Sequence, residues 1–277
     1  MRRFRYHEPA TLDEAVALLS GPNAQILAGG TDLLVELKEQ LRRADCVVNI
    51  KKIPGLAGFA YDAKTGLRIG ALATARELEI SPIVMEKYRS LVQSVRELGS
   101  IQVRHRATII GNVCRASPSA DTIPPLIADG ANIRIRGAAG ERVLSLENFF
   151  LGPGKTVLKP GDVVIEVVVP PPAADTRKIY IKHGRRKAME LATVGVAVTH
   201  VPGVETRIVL GAVAPTPIRA RRAENLLRSK RLTEELIAQA AAAAVAESRP
   251  IGNVRASAEY RREMVGVLTR RALEAVR

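Results

Sequence analysis

The sequence predicts an α+β protein of two domains. Three observations carry this: helix and strand patterns alternate over the first fifty residues, a stretch of linker composition lies near 170–175, and in the last third three strand patterns precede three helical ones. A chain of 277 residues is long enough to close two cores of ordinary size.

The first helix opens on a capping-box pattern, Thr11-Leu12-Asp13-Glu14, places Leu12, Ala15, Val16 and Leu19 on one face, and stops at Gly21-Pro22. Ala24 to Ala28 reads as a short buried strand and Gly29-Gly30 as a sharp turn. Thr31 to Leu41 reads as a second helix with Leu33, Leu34, Leu37 and Leu41 inward, and Cys46 to Ile50 as the next strand. This order favours a small parallel sheet covered by helices.

After Pro54-Gly55 the pattern changes. Leu67 to Gly70 reads as a strand, Thr74-Ala75-Arg76-Glu77 as a second capping box, and Ser90 to Leu98 as an amphipathic helix ended by Gly99. A stretch rich in Gly, Ser and Pro runs from Thr108 to Asp121, and the helix after it must carry Pro124 and Pro125 in its first turn. Strands are expected at Ile133 to Arg136 and Val163 to Val169, then the linker-like Pro170 to Asp175. Beyond it, strands at Lys178 to Lys182, Thr193 to Thr199 and Arg207 to Val213 precede helices at Ala223 to Leu227, Glu234 to Ala246 and Ser257 to Val276. The domains are therefore drawn as 1–175, with subdomains 1–55 and 56–175, and 176–277.

Composition excludes several classes of function. No apolar run reaches the length of a membrane span, and the opening MRRFRYHEP lacks an apolar core and a cleavage site, so a cytoplasmic location is expected. Cys46 and Cys114 have no CxxC spacing and read as reduced thiols; His7, His105, His183 and His200 are scattered, so no metal site is expected. A net charge of +14 raises the idea of a nucleic-acid partner. The basic residues nevertheless come in short pairs and triplets, and with no Trp, four Phe and five Tyr a base-stacking platform is poorly supplied. A solvated basic surface, or one partly covered by an acidic partner subunit, would account for the charge.

Two constellations could carry chemistry. The first, Ile26-Leu27-Ala28-Gly29-Gly30-Thr31-Asp32-Leu33, is a strand, a double glycine and a hydroxyl residue opening a helix. Glycines let backbone amides approach a phosphate, and the helix amino terminus adds a favourable field. An ionised Asp32 cannot face that phosphate, so it is expected to cap the helix or to accept from ribose hydroxyls. Tight strand-to-helix packing would use the same glycines. The second, Thr108-Ile109-Ile110-Gly111-Asn112 followed by Asp121, could form another anion nest with a carboxylate for sugar hydroxyls, or a polar loop that satisfies its own backbone. Two such loops suit a dinucleotide better than a mononucleotide.

Taken together, AGGTDLL, TIIGNVCRASPSADTIPPL, the strand ending VVVP and YIKHGRRKAMELATVGVAV resemble the FAD-binding medium subunits of the xanthine dehydrogenase and carbon monoxide dehydrogenase type. The resemblance spans essentially the whole chain. It implies a p-cresol methylhydroxylase-type FAD-binding domain of two α/β subdomains, plus a C-terminal α+β domain made of a three-stranded sheet and a helical bundle. It further implies that Ile26 to Leu33 and Thr108 to Asn112 hold the pyrophosphate and its neighbours, and that Leu98, Asp121, Val164 and Lys182 contact FAD. A lysine near the flavin would favour its anionic reduced form, although Lys182 also fits an ordinary surface position. Departures from the family pattern are Met189-Glu190-Leu191, where an aromatic residue is usual, and Ile110 in place of a glycine.

The function implied is electron relay. A large molybdenum-cofactor subunit would oxidise the substrate, a small [2Fe-2S] subunit would carry electrons singly, and FAD on this chain would pass them to NAD, a quinone or oxygen, in a heterotrimer or its dimer. No acid, base or nucleophile is nominated on this chain. The competing expectations are a self-sufficient FAD oxidase, with His105 and Cys114 near the second loop as conceivable flavin attachment points, and a basic nucleic-acid-binding module.

Overall fold

The computed structural model describes residues 1–277. The first fifty residues form β1 (Arg5–His7), α1 (Leu12–Leu19), β2 (Ala24–Leu27), α2 (Leu33–Lys38) and β3 (Cys46–Asn49). Their sheet has the order β1-β3-β2 and both pairings are parallel, as the alternation required. Thr11 caps α1 by accepting from the Glu14 amide, but the Glu14 carboxylate reaches back to the Ala10 amide instead of closing the box on Thr11. The helix after the double glycine is shorter than expected. It begins at Leu33 and ends at Lys38, so only Leu37 is fully buried, while Leu34 and Leu41 face outward. Leu41 lies past the last turn and no longer follows the helical period.

The chain continues with β4 (Phe59–Asp62), β5 (Gly66–Gly70), α3 (Ala75–Glu79), α4 (Pro82–Lys87), α5 (Arg89–Arg96), α6 (Ile101–Arg104), α7 (Ile109–Arg115), α8 (Ile123–Ala128), β6 (Asn132–Gly137), β7 (Gly140–Ser145), β8 (Phe150–Gly152), β9 (Lys155–Thr156) and β10 (Val163–Val169). Five of these strands make an antiparallel sheet in the order β4-β5-β10-β6-β7. Thr74 and Glu77 form a complete capping box on α3, and Pro124 and Pro125 occupy the first turn of α8, where a missing amide costs nothing. The Thr108–Asp121 stretch, expected to form an anion nest or a polar loop, is helix α7 over half its length. Thr108 caps it by accepting from the Gly111 amide, which leaves its O–H free to donate.

The last third contains β11 (Arg177–His183), β12 (Val194–Val201), β13 (Glu205–Gly211), β14 (Ile218–Arg219), α9 (Arg221–Leu227), α10 (Glu234–Glu247) and α11 (Ala258–Ala275). Its sheet, β11-β12-β13-β14, carries the three expected strands plus a two-residue fourth. The sheet is covered on both sides. Val194, Val196, Val198, Ile208 and Leu210 face the helices, whereas Tyr180, Ala197 and Val209 join the main core built by residues 15–169. Hence β12 is buried along nearly its whole length and shows no polar alternation.

Candidate functional site

The first glycine constellation lies where β2 ends and α2 begins. Gly30 adopts φ +79°, in the left-handed region where a side chain is strained. A Cβ on Gly29 would sit 2.0 Å from the Arg106 carbonyl oxygen, so the turn packs directly against the backbone leading into Thr108 and α7. Both expected constellations thus meet at one point. Lys51 fixes the approach to the turn by donating from Nζ to the Ala28 carbonyl at 2.8 Å; burial, then the nearby Arg106 charge, lower its pKa.

The N–H groups of Gly29, Gly30, Thr31, Asp32 and Leu33 donate no hydrogen bond within the chain. The first bond in this run is made by Leu34, to the Gly30 carbonyl. Five successive unfilled amides at a glycine turn and a helix start form a concave donor surface for an oxyanion. Asp32 stands at the cap position without making a side-chain cap bond and is exposed, so the expected capping role is not taken up.

This surface opens into a cleft of about 510 Å³, within the size range of cofactor sites. From the expected residues the lining includes Ile26, Ala28, Gly29, Gly30, Thr31, Asp32 and Leu33 on one wall and Thr108, Ile110, Gly111 and Asn112 on the other, together with Leu98 and Val164. Arg104 sets Leu98 in place: it is buried, pairs with Glu79 at 2.8 Å and donates to the Arg96 and Leu98 carbonyls. Asn112 is oriented by the Thr122 hydroxyl, which donates to its Oδ1 at 2.7 Å.

Four expected contacts do not line the cleft. Leu27 points to the opposite face of β2 and packs with Leu37, Ala44 and Val47, as strand alternation demands. Ile109 is fully buried in the core and its amide donates to the Ala73 carbonyl. Asp121 and Lys182 form a buried cluster one layer behind. The Lys182 ammonium donates to Asp121 at 3.0 Å and to the carbonyls of Glu97 and Glu190, which uses all three of its protons. Asp121 also accepts from the Tyr180 hydroxyl at 2.8 Å. Lys182 is therefore neither an exposed surface lysine nor a free cation facing the cleft.

The sequence reading missed one wall and one end of the cleft. Leu158 to Val163 form the wall, where Lys159-Pro160-Gly161-Asp162 turns into β10; the Pro-Gly pair was the available signal. Burial raises the Asp162 pKa, but Arg142 and the Lys159 amide outweigh it and hold the carboxyl below the usual range. Gln25, Glu36, Arg42 and Arg115 form the end, and local sequence offers no sign that these scattered polar residues converge.

Residues 2–172 match the family described as FAD binding domain in molybdopterin dehydrogenase, and residues 179–276 match the CO dehydrogenase flavoprotein C-terminal domain. The chain is 36% identical over 279 residues to the carbon monoxide dehydrogenase medium chain of Hydrogenophaga pseudoflava, covering 99% of this chain and 96% of that one. It is 31% identical over 278 residues to a putative xanthine dehydrogenase FAD-binding subunit of Escherichia coli K12, covering 98% and 95%. Among solved structures it superposes with a TM-score of 0.94 on a chain of the H. pseudoflava carbon monoxide dehydrogenase lacking the Mo-pyranopterin moiety, at 37% identity over 99% of this chain and 97% of that one. On a chain of quinoline 2-oxidoreductase from Pseudomonas putida 86 the TM-score is 0.91, at 29% identity over 99% and 97%.

Proposed function

Since the chain belongs to the family of FAD-binding subunits of molybdenum-containing dehydrogenases, we propose that it binds FAD in the cleft between its first two subdomains and relays electrons within such an assembly. The observation that carries the cofactor assignment is the run of five unfilled amides from Gly29 to Leu33, a row of donors suited to a diphosphate. Gly29 allows the opposite wall to close on that cradle, and any larger residue would hold it open. When bound, FAD supplies the ability to take electrons singly and release them in pairs.

The protein's part is to bind, orient and shield. Ile26 to Leu33 and Thr108 to Asn112 enclose the pyrophosphate and its neighbours, with Leu98 and Val164 against the remaining cofactor surface. Leu27 and Ile109 act through the backbone they pin. Asp121 and Lys182 are positioning residues: they lock β11 to the segment carrying Thr122, which aims Asn112 into the cleft. The functional division runs at 1–175 for cofactor binding and 176–277 for docking against it.

The same reading assigns the partners to a large molybdenum-cofactor chain and a small [2Fe-2S] chain, with NAD, a quinone or oxygen as final acceptor. The cleft contains no aromatic platform for stacked bases, which disfavours the nucleic-acid alternative. Titrating the purified chain with FAD and following flavin absorbance and fluorescence tests the assignment. Stoichiometric uptake is expected, and a protein that stays colourless at saturating FAD overturns it. Co-expression with a large molybdenum-cofactor chain and a small [2Fe-2S] chain, followed by reduction of each acceptor, tests the relay.

A further inference from the structure

Glu36 ties together two arginines that come from opposite sides of the cleft. Its Oε2 is 2.7 Å from Arg42 Nε and its Oε1 is 2.6 Å from Arg115 Nη2. Arg42 Nη1 also donates to Gln25 Oε1 at 2.9 Å. All four side chains line the cleft.

Their position follows from the helices. α2 and α7 start beside each other, because Gly29 touches the backbone of Arg106 and Ala107, and Glu36 and Arg115 lie further along the two helices. At 1.5 Å of rise per residue the tie stands roughly 5–10 Å from the unfilled amides. Gln25 precedes the amide run along β2 on that same side. On the other side, Val103 accepts from the Ala107 amide and leads to Gly99 and Leu98, an end without charged side chains. A diphosphate held at Gly29 to Leu33 therefore sends the two halves of a dinucleotide towards chemically different ends.

The ends suit different halves. Leu98 and Val103 offer apolar contact for the tricyclic flavin ring. No aromatic side chain lines the cleft, so at the polar end the planar surfaces for a purine are the guanidinium groups, which stack on aromatic rings and keep a net positive charge. One carboxylate shared by two arginines leaves one positive charge, and Arg42 Nη2 and Arg115 Nε and Nη1 keep N–H groups unpaired. We propose that Arg42 and Arg115, held by Glu36, recognise the adenosine monophosphate half of FAD and set the selectivity of this chain for FAD over FMN. This rests on the FAD assignment above.

The test is to measure dissociation constants of the full chain for FAD and for FMN, by flavin fluorescence, in the wild type and in Arg115→Gln, Arg42→Gln, Glu36→Gln and Arg115→Lys. Thermal midpoints of each variant accompany the titrations. The expected result is a fall of about tenfold or more in FAD affinity for both glutamine variants at arginine, the loss expected for one charge-assisted contact, with FMN affinity changed less than twofold. Arg115→Lys should recover part of the loss, since it keeps charge but not the planar fork. Equal weakening for both flavins would mean that the triad only clasps the walls together, and unchanged FAD affinity in both arginine variants would mean it makes no contact; either overturns the proposal. A wild type that binds neither flavin would instead defeat the cofactor assignment itself. Both arginine side chains are more than a third exposed, so either variant remains informative if the other fails to fold.

Discussion

The Lys182 ammonium lies 3.0 Å from the Asp121 carboxylate, and both side chains are buried. On the same face of β11, four residues earlier, Lys178 lies 2.9 Å from Asp129. Four strand residues span about 13 Å. Asp121 and Asp129 flank α8 at a separation of eight residues, about 12 Å along a helix. The strand and the helix are thus pinned at two matched points, with Tyr180 between them bonded to Asp121 and to Gln93. This double pin holds β11 to the segments flanking α8, one layer behind the cleft.

The first pin titrates. Burial raises the Asp121 pKa to about 6, against the lowering by Lys182 and Tyr180. An acid whose pKa is higher folded than unfolded favours the folded state when protonated. Its contribution therefore falls as pH rises from about 4 to 6 and is constant above, a change on the order of 3 kcal/mol for two pKa units. Thermal midpoints of wild type and Asp121→Asn between pH 4.5 and 7.5 check this. The wild type should lose stability relative to the variant as pH rises from 4.5 to about 6 and then run level with it, and a difference that grows in the opposite sense would contradict the account.

The second pin is a buried ion pair whose halves depend on each other. Asp129 also accepts from the Thr199 hydroxyl at 2.7 Å, and Lys178 lies over the Tyr88 ring, 4.5 Å from its centroid. Lys178→Met leaves the carboxylate buried with only the hydroxyl, at a cost of about 3–5 kcal/mol. Combining it with Asp129→Asn removes the stranded charge while keeping an acceptor for Thr199. Urea unfolding should give a double variant that is more stable than the sum of the single losses by at least about 2 kcal/mol; simple additivity would show that the pair is not coupled.

Gly29 tests the closure of the cleft. Gly29→Ala drives a Cβ into the Arg106 carbonyl, and the walls must part by more than an ångström. The expected cost is about 2–3 kcal/mol of stability together with loss of FAD binding. Gly152→Ala is the matched control, since nothing lies within 4 Å of its added Cβ and it should stay within about 0.5 kcal/mol of wild type. Retention of FAD by Gly29→Ala would remove the reason for a glycine at this position.

Much of the fold was legible because its elements announce themselves locally. Thr74 and Glu77 close the capping box that their spacing implies, and Pro124 and Pro125 start α8 where the missing amides predict. The glycine turn was legible for the same reason, since Gly29 and Gly30 have few other uses between a strand and a helix. What local pattern could not supply was the partner of a side chain. Lys182 reads identically in sequence whether it faces flavin, solvent or Asp121, and only the docking of β11 on α5, with α8 against β12 and β13, decides among them. The Thr108 stretch misled because Gly, Asn and Ser lower helix propensity, while burial of Ile109, Ile110 and Val113 outweighs it. Glu36, Arg42 and Arg115 were invisible because they meet only through the tertiary fold.

Cys114 bears on how a flavin would be held. It lines the cleft, and burial pushes its thiol up to about 12, with no nearby cation to oppose the shift. At pH 8 a thiol of that pKa is ionised in about one molecule in ten thousand, and the thiolate is the nucleophile. Cys46, the other cysteine, is buried in the core. Neither thiol should therefore react with a disulfide reagent in the native protein at a rate within about a hundredfold of an exposed thiol, whereas both should react after unfolding in urea. The same reluctance argues against a thioether link to FAD through Cys114, and acid precipitation of the loaded protein should release all of the flavin into the supernatant. Rapid labelling of Cys114 in the folded chain, or colour retained in the acid pellet after that labelling is blocked, would show a thiol far more reactive than its surroundings allow.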